Sequence, residues 1–264
     1  MPGIKYPFPH VPMLGKGMIL FDRFDAAGLP TGKVPFGNCH KFEIGMKDDR
    51  AELYQSLNKS SSLIANALKK RTVSLSIVGT DFRSDMVAIA LMSAGKTALV
   101  TTASTYTDEV LASATATKKG RFFRTVKRNV DNVTVPPVLT CNSAPLTVDD
   151  DYVVVDPVEG LIYFPVDSGV TDSKAVTITY HTLVATLDQV APATQPQILG
   201  QLDFVADPTD GQKIGVEVWR VNLYPTGQIG FIADDYGNWT LDGAVLDDTA
   251  NHPDSPYVLQ TFYP

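Results

Sequence analysis

Apolar and polar residues alternate with a period of two through much of this chain. KFEIGMK at 41–47 sets Phe42, Ile44 and Met46 against Lys41, Glu43, Gly45 and Lys47, and RTVSLSIVG at 71–79 sets Val73, Leu75 and Ile77 against Thr72, Ser74 and Ser76. Successive side chains of a strand point to opposite faces, so each run predicts a strand with one buried side. GMILFDRFD at 17–25 is a further β-type run, joined to the next through the turn-rich AAGLPTGKVPFGN. From Ile198 onward the text reads as four strands punctuated by PTDG, YPTG, DDYGN and LDG. Leu53, Leu57, Ile64 and Leu68 fall at helix-compatible spacing, but NKSSS at 58–62 interrupts them, and the expectation is a long loop over 48–70. One helix is predicted at about 84–94. Ser84 would cap it, Asp85 suits its positive end, Met86 to Met92 are apolar nearly all round, and Gly95 would stop it. Such an apolar helix is expected to be buried.

The texture changes near residue 116. A basic strip, KKGRFFRTVKR at 118–128, leads into NVTVPPVLT, LTVDDDYVVVD, GLIYFPV and AVTITYHT, short β-runs separated by Asp, Pro and Gly turns. This predicts a small all-β module over 116–190, closed by APATQP at 191–196 and inserted into a domain made of 1–115 and 191–264. The first sixteen residues form a proline-spaced arm.

Composition narrows the function. Of 264 residues 44% are apolar and 19% charged, the balance of a folded chain. The longest apolar run, Met86 to Met92, falls far short of the roughly 18 residues of a membrane span, and the first residues offer no secretory core. The expectation is a soluble chain made in a cytoplasm, with no membrane partner. Net charge is −7, and residues 191–264 carry two basic and ten acidic side chains, a balance that repels phosphate backbones.

Reactive chemistry is sparse. Cys39 and Cys141 are isolated, and His10, His40, His181 and His252 show no metal-ligand spacing. Cys39 and His40, as strand neighbours, point to opposite faces and make a poor dyad. SAGKT at 93–97 lacks the earlier glycine of a phosphate loop, and Asp149 to Asp151 lack the spacing of a calcium loop. The strip Lys118 to Arg128, with Phe122 and Phe123, reads as a solvated junction or a subunit contact. No catalytic, cofactor-binding or metal residues are expected, so the chain is not expected to be an enzyme. Open strand edges and extended arms point instead to a homo-oligomer.

Two stretches carry a family resemblance. Residues 17–95, from GMILFDRFD through KFEIGMKDDR to MVAIALMSAG, resemble the N-terminal half of major tail proteins, the tail tube subunits of long-tailed bacteriophages (siphophages). Residues 200–248, with the YPTG turn and the hairpin DDYGNW, resemble their C-terminal half; the middle block is similar to a small β-module of phage virion proteins. The resemblance implies a mainly β, tail-tube-like β-sandwich with one flanking helix. Its rings, usually of six subunits, join inner strands into a barrel around a lumen and stack into the tube through which genome DNA passes during ejection. Implied partners are the chain itself, tail terminator, tape measure and distal tail proteins, and double-stranded DNA that passes without adhering. The implied place is the virion tail, assembled in the host bacterial cytoplasm. A sliding polyanion calls for an electronegative lumen.

On that reading Phe42, Ile44, Met46, Val73, Leu75, Ile77, Leu202, Phe204, Ile214, Val216 and Val218 face the sandwich. Glu43, Thr72, Ser74, Ser76, Asp203 and Glu217 become lumen-facing candidates, although alternation equally suits an outer, solvent-facing side. Leu53, Tyr54, Leu57 and Ile64 are the candidates for contacts between stacked rings. Two other readings stay open: another virion role such as head decoration or adsorption, and a calcium-assisted glycan-active protein using Asp149, Asp151 and Asp156.

Overall fold

A computed structural model describes residues 14–56, 61–232 and 234–263. The proline-spaced arm up to residue 13, and Leu57, lie outside these described residues. In chain order the first elements are β1 (Gly17–Phe24), β2 (Pro30–Pro35), β3 (Cys39–Tyr54), β4 (Leu63–Gly79) and α1 (Ser84–Ala90). There follow β5 (Lys96–Thr101), β6 (Ser104–Ala112), β7 (Arg121–Arg124), β8 (Val138–Cys141), β9 (Ala144–Pro145), β10 (Val153–Asp156), β11 (Leu161–Phe164), β12 (Val176–Thr182) and β13 (Ala185–Val190). The chain ends with β14 (Ile198–Ala206), β15 (Ile214–Pro225), β16 (Trp239–Val245) and β17 (Val258–Phe262). The fold is mainly β, with one α-helix among the described residues and several antiparallel sheets.

Two compact units form: one from the chain up to Lys96 together with Val190 onward, the other from Thr97–Gln189. The insert therefore begins at Thr97, not at 116 as the composition suggests. The reason is β6, which pairs along β12 from Ser104↔Thr182 to Val176↔Ala112 and so belongs to the inserted module. That module sets a three-stranded sheet, β10-β11-β7, and a four-stranded sheet, β6-β12-β8-β9, around buried Leu139, Ile162, Phe164, Val176, Ile178 and Tyr180.

The first unit is built on one eight-stranded sheet in the order β2-β1-β14-β15-β16-β4-β3, with β17 added on β15. Its inner face supplies the expected alternation: Val73, Leu75, Ile77, Leu202, Val216 and Val218 are buried. The sheet curls over on itself. Phe42 on edge strand β3 and Phe204 on β14, separated by three strands in the sheet, bring their rings to 5.3 Å. Inside, Phe21 stacks on Phe36 at 5.5 Å, Phe36 meets Trp239 at 5.8 Å, and the indole Nε1 of Trp239 donates to the carbonyl of Asp81 at 2.8 Å. Gly79 lies under that indole; a Cβ there would fall 2.3 Å from a ring carbon. Met46, expected inside, is instead 66% exposed, because β3 is the edge strand and runs past the end of the core.

The predicted loop over 48–70 is a correction. β3 and β4 continue as one antiparallel hairpin, in register from Asp48↔Arg71 to Tyr54↔Leu63, with irregularities at Asp49/Arg50 and Leu53/Tyr54. Ladder hydrogen bonds hold it where core burial does not, so both faces are solvated and neither period is written in its side chains. The helix is also shorter than expected. Arg83, not Ser84, occupies its N-cap position, without a side-chain cap bond. It stops because Met92 adopts a left-handed φ of 54°, while the Met92 and Ser93 amides donate to the Ile89 and Ala88 carbonyls at 3.1 and 2.8 Å, a Schellman ending reached before Gly95. Met86, Ala88, Ile89 and Ala90 are buried, as a helix of this apolarity requires. LDG, read as a turn, lies within β16: Gly243 is buried, and a Cβ there would meet Leu75 and Val221 at 2.7 Å. The run between YPTG and DDYGN forms no strand among its described residues.

Calorimetry should therefore resolve two effects. Gly79→Ala overpacks the indole and lowers the transition of the first unit by about 1–3 kcal/mol. Leu139→Ala empties a fully buried site in the insert and lowers that unit's transition by about 2–5 kcal/mol, leaving the other in place.

Candidate assembly surfaces

The outer face of the curled sheet gathers several of the singled-out residues. Cross-strand register lines up Glu43, Ser76, Asp242 and Tyr224 in one row across β3, β4, β16 and β15, and Gly45, Ser74, Ala244 and Asn222 in the next. Glu43, Gly45, Ser74, Ser76, Tyr224 and Asp242 line a shallow depression of about 380 Å³. Thr72 follows on the same face of β4, opposite Lys47. Lys41 at the margin reaches Glu43 at 2.9 Å. The face is hydroxylated and of mixed charge, with Glu43 and Asp242 set against Lys41 and Lys47.

Asp203 and Glu217 form a separate pair on β14 and β15, directly opposite each other. Glu217 is exposed, but the Asp203 side chain is only 13% exposed and is ion-paired with Lys33. Its Oδ1 is buried with no hydrogen-bond partner. Asp203 thus offers no free charge to a lumen or to solvent. Asp242 and Tyr224 share the outer face with Glu43 and Ser76, which the sequence does not disclose because LDG and YPTG both carry turn residues.

The β3–β4 hairpin collects the ring-contact candidates. Leu53, Tyr54 and Ile64 are 60%, 51% and 61% exposed, joined by Leu63 and Leu68. The Tyr54 hydroxyl donates to Glu52 at 2.5 Å, and that bond raises its pKa. Farther down, the Arg71 guanidinium grips Asp48 through two bonds of 2.8 and 3.1 Å, and Arg50 adds a third at 3.1 Å. These bonds, with that from Arg71 the largest cause, hold the Asp48 carboxyl down at about 2.

A wide depression of the first unit, about 1020 Å³, is lined by Arg23, Gln197, Trp219, Arg220, Asp248 and His252 among others. His252 stacks on Trp219 at 3.7 Å and 2°, and its Nδ1 lies 2.8 Å from Asp248. The indole Nε1 of Trp219 donates to the Ser255 carbonyl at 2.8 Å. The bond from His252 keeps Asp248 below the usual carboxylate range. A histidine with an aspartate partner resembles half of a triad, but among the described residues no serine or cysteine lines this groove, and the arrangement latches the segment after β16 onto β15.

Other reactive groups stay quiet. Burial first, and Asp81 second, push the Cys39 thiol up to about 11, so it is no thiolate at neutral pH. The Asp151 carboxylate is occupied by the Thr147 and Gly169 amides. Among the described residues no group of three or more His, Cys, Asp or Glu is placed to hold a metal ion.

The hairpin clamp has a measurable titration. Because the folded pKa of Asp48 is depressed, its contribution to stability is complete above the ordinary carboxylate value of about 3.9 and is lost as pH falls through about 2. Carbon-detected NMR of the Asp48 carboxyl should give a midpoint near 2, returning toward the ordinary range in Arg71→Ala.

No curated protein matches the chain. A family model, described as a protein of unknown function, UCP028589, matches residues 12–258, far more than half of the chain, and the chain belongs to that family.

Proposed function

We propose that this chain is a structural subunit that assembles with copies of itself into stacked rings, forming the tail tube of a long-tailed phage through which double-stranded DNA passes. The observation that carries the reading is the sheet of the first unit. Among the described residues it ends in the edge strands β2 and β3, with β17 a further edge beside β15, and β3 continues with β4 as a hairpin whose apolar side chains stand outside any core. Open edges are templates for pairing with another chain, and closing them around a ring removes the liability. Exposed apolar side chains on a projecting hairpin favour burial against a further copy.

The hydroxylated face built on Ser74 and Ser76, with Glu43 and Asp242 beside them and Lys41 already paired to Glu43, supports the same reading. A wall along which DNA slides needs few cations, since each neutralised phosphate adds affinity. Ring number, tail partners and virion location follow from the family resemblance, and the proposal adopts six subunits with terminator, tape measure and distal tail proteins at the tube's ends. The second unit then stands as a module carried by the tube subunit.

Negative-stain electron microscopy of the concentrated protein, with light scattering to size the soluble species, tests this. Rings with a central channel, stacked into tubes, are expected. The double variant Leu53→Ser/Ile64→Ser should leave single rings but shorten or abolish the stacks. A discrete trimer without a channel would sink the tube reading in favour of decoration or adsorption.

A further inference from the structure

One connection of the first unit exposes more apolar surface than a folded chain leaves without a reason. Between β15 and β16, Phe231, Ile232 and Tyr236 are 77%, 98% and 95% exposed, flanked by the carboxylates of Asp234 and Asp235. Scattered single apolar residues on a surface are ordinary, whereas three within six residues mark an interaction site. Within its own chain this connection leans elsewhere: Gly237 lies against the Phe82 ring and Gly227 against Thr240.

The same unit holds a cleft with the opposite character. It measures about 220 Å³, lies between the β1–β2 hairpin and α1, and is floored by Phe21, Met86, Ala88 and Ile89. Val34, at its rim, is 40% exposed. The rim also carries two cations. The Arg23 guanidinium is fixed by Nη1 to the Ser93 and Ala94 carbonyls at 3.1 and 3.0 Å, and those contacts leave it further N–H donors. Lys96 lies 3.3 Å from Asp85, which offsets the one carboxylate there.

An apolar floor with a cationic rim matches an apolar tip with an acidic flank. We infer that Phe231 or Ile232 of one copy seats in the cleft of a second copy of this chain, with Asp234 or Asp235 against Arg23. Packing supplies the affinity, and the charge pair fixes the orientation. Tip and cleft are different patches, so the contact is head-to-tail and propagates into a ring or a filament instead of closing as a two-fold dimer. The inference rests on the self-assembly reading above and names one of its interfaces.

Intermolecular crosslinking tests it. Ile232→Cys protein and Val34→Cys protein, each otherwise unchanged, are mixed and treated with a short bis-maleimide, with wild type and each variant alone as the baseline set by Cys39 and Cys141. A dimer formed in the mixture well above every baseline is expected. A second measurement uses Phe231→Ser/Ile232→Ser, which alters only exposed side chains: circular dichroism should be unchanged and the critical concentration for assembly at least tenfold higher. Wild-type assembly without mixture-specific crosslinks, or undiminished assembly of the double-serine variant, overturns the inference while the tube reading stands. Mixture-specific dimers from a protein that never forms rings would uphold the tip-and-cleft contact and overturn the tube reading. Neither crosslinks nor assembly at any concentration would overturn both.

Discussion

The contact between Phe42 and Phe204 is the constraint on which the first unit depends. A sheet of this size left open would expose its aliphatic face, and only by curling until strands far apart in its order meet does it enclose a core. The interior is fitted to that closure. Phe21, Phe36 and Trp239 form a continuous aromatic packing, and Gly79 and Gly243 sit where any side chain would collide with it or with the aliphatic residues beside it. Each of these glycines is a site of close approach, without a positive φ of its own.

Closure also decides what remains open. Curling brings β3 and β14 together through side chains, not through backbone ladders, so among the described residues β3 keeps an unpaired edge. The hairpin then departs from the core with ladder bonds and the Asp48–Arg71–Arg50 cluster as its support. Ion pairs this exposed add little stability, so the hairpin's rigidity rests mostly on its backbone pairing. A segment with that energetics is marginal alone and gains order from a neighbour.

Legibility in the sequence followed burial. Val73, Leu75 and Ile77 were readable as inward because their strand has one wet and one dry face, and the faces of Glu43, Ser74 and Ser76 followed from the same alternation. The hairpin beyond Asp48 was not readable: with both faces wet, selection writes no period, and Leu53, Ile64 and Leu68 fell by chance at a helical spacing. Gly243 misled because a glycine needed for close packing reads like one needed for a turn, and with it Asp242 was lost from the outer face of the sheet. Met92 takes the left-handed position expected of Gly95, since the hydrogen-bonded ending outweighs the modest cost of that φ in a non-glycine residue. The insert boundary slipped because β6 resembles the preceding strands in composition; only its partner, β12, assigns it.

The distribution of carboxylates is hard to derive from folding alone. Asp203 and Glu217 face each other across β14 and β15, a like-charge pairing that destabilises a sheet, and Lys33 is required to offset it. Glu43 and Asp242 are kept apart by Ser76 between them, two strand spacings or about 10 Å, which tempers their repulsion without removing it. A one-residue irregularity keeps this face continuous. Across Trp219 and Arg220 the inward residues of β15 change from Val216 and Val218 to Val221 and Leu223, and there the strand exchanges β17 for β16 as its neighbour. Without that shift Asn222 and Tyr224 would point into the core, and two aliphatic side chains would interrupt the polar face. Glu43 and Asp203 each have a lysine partner, Lys41 and Lys33, so the outward positions carry paired charges and hydroxyls where the inward ones carry aliphatic side chains.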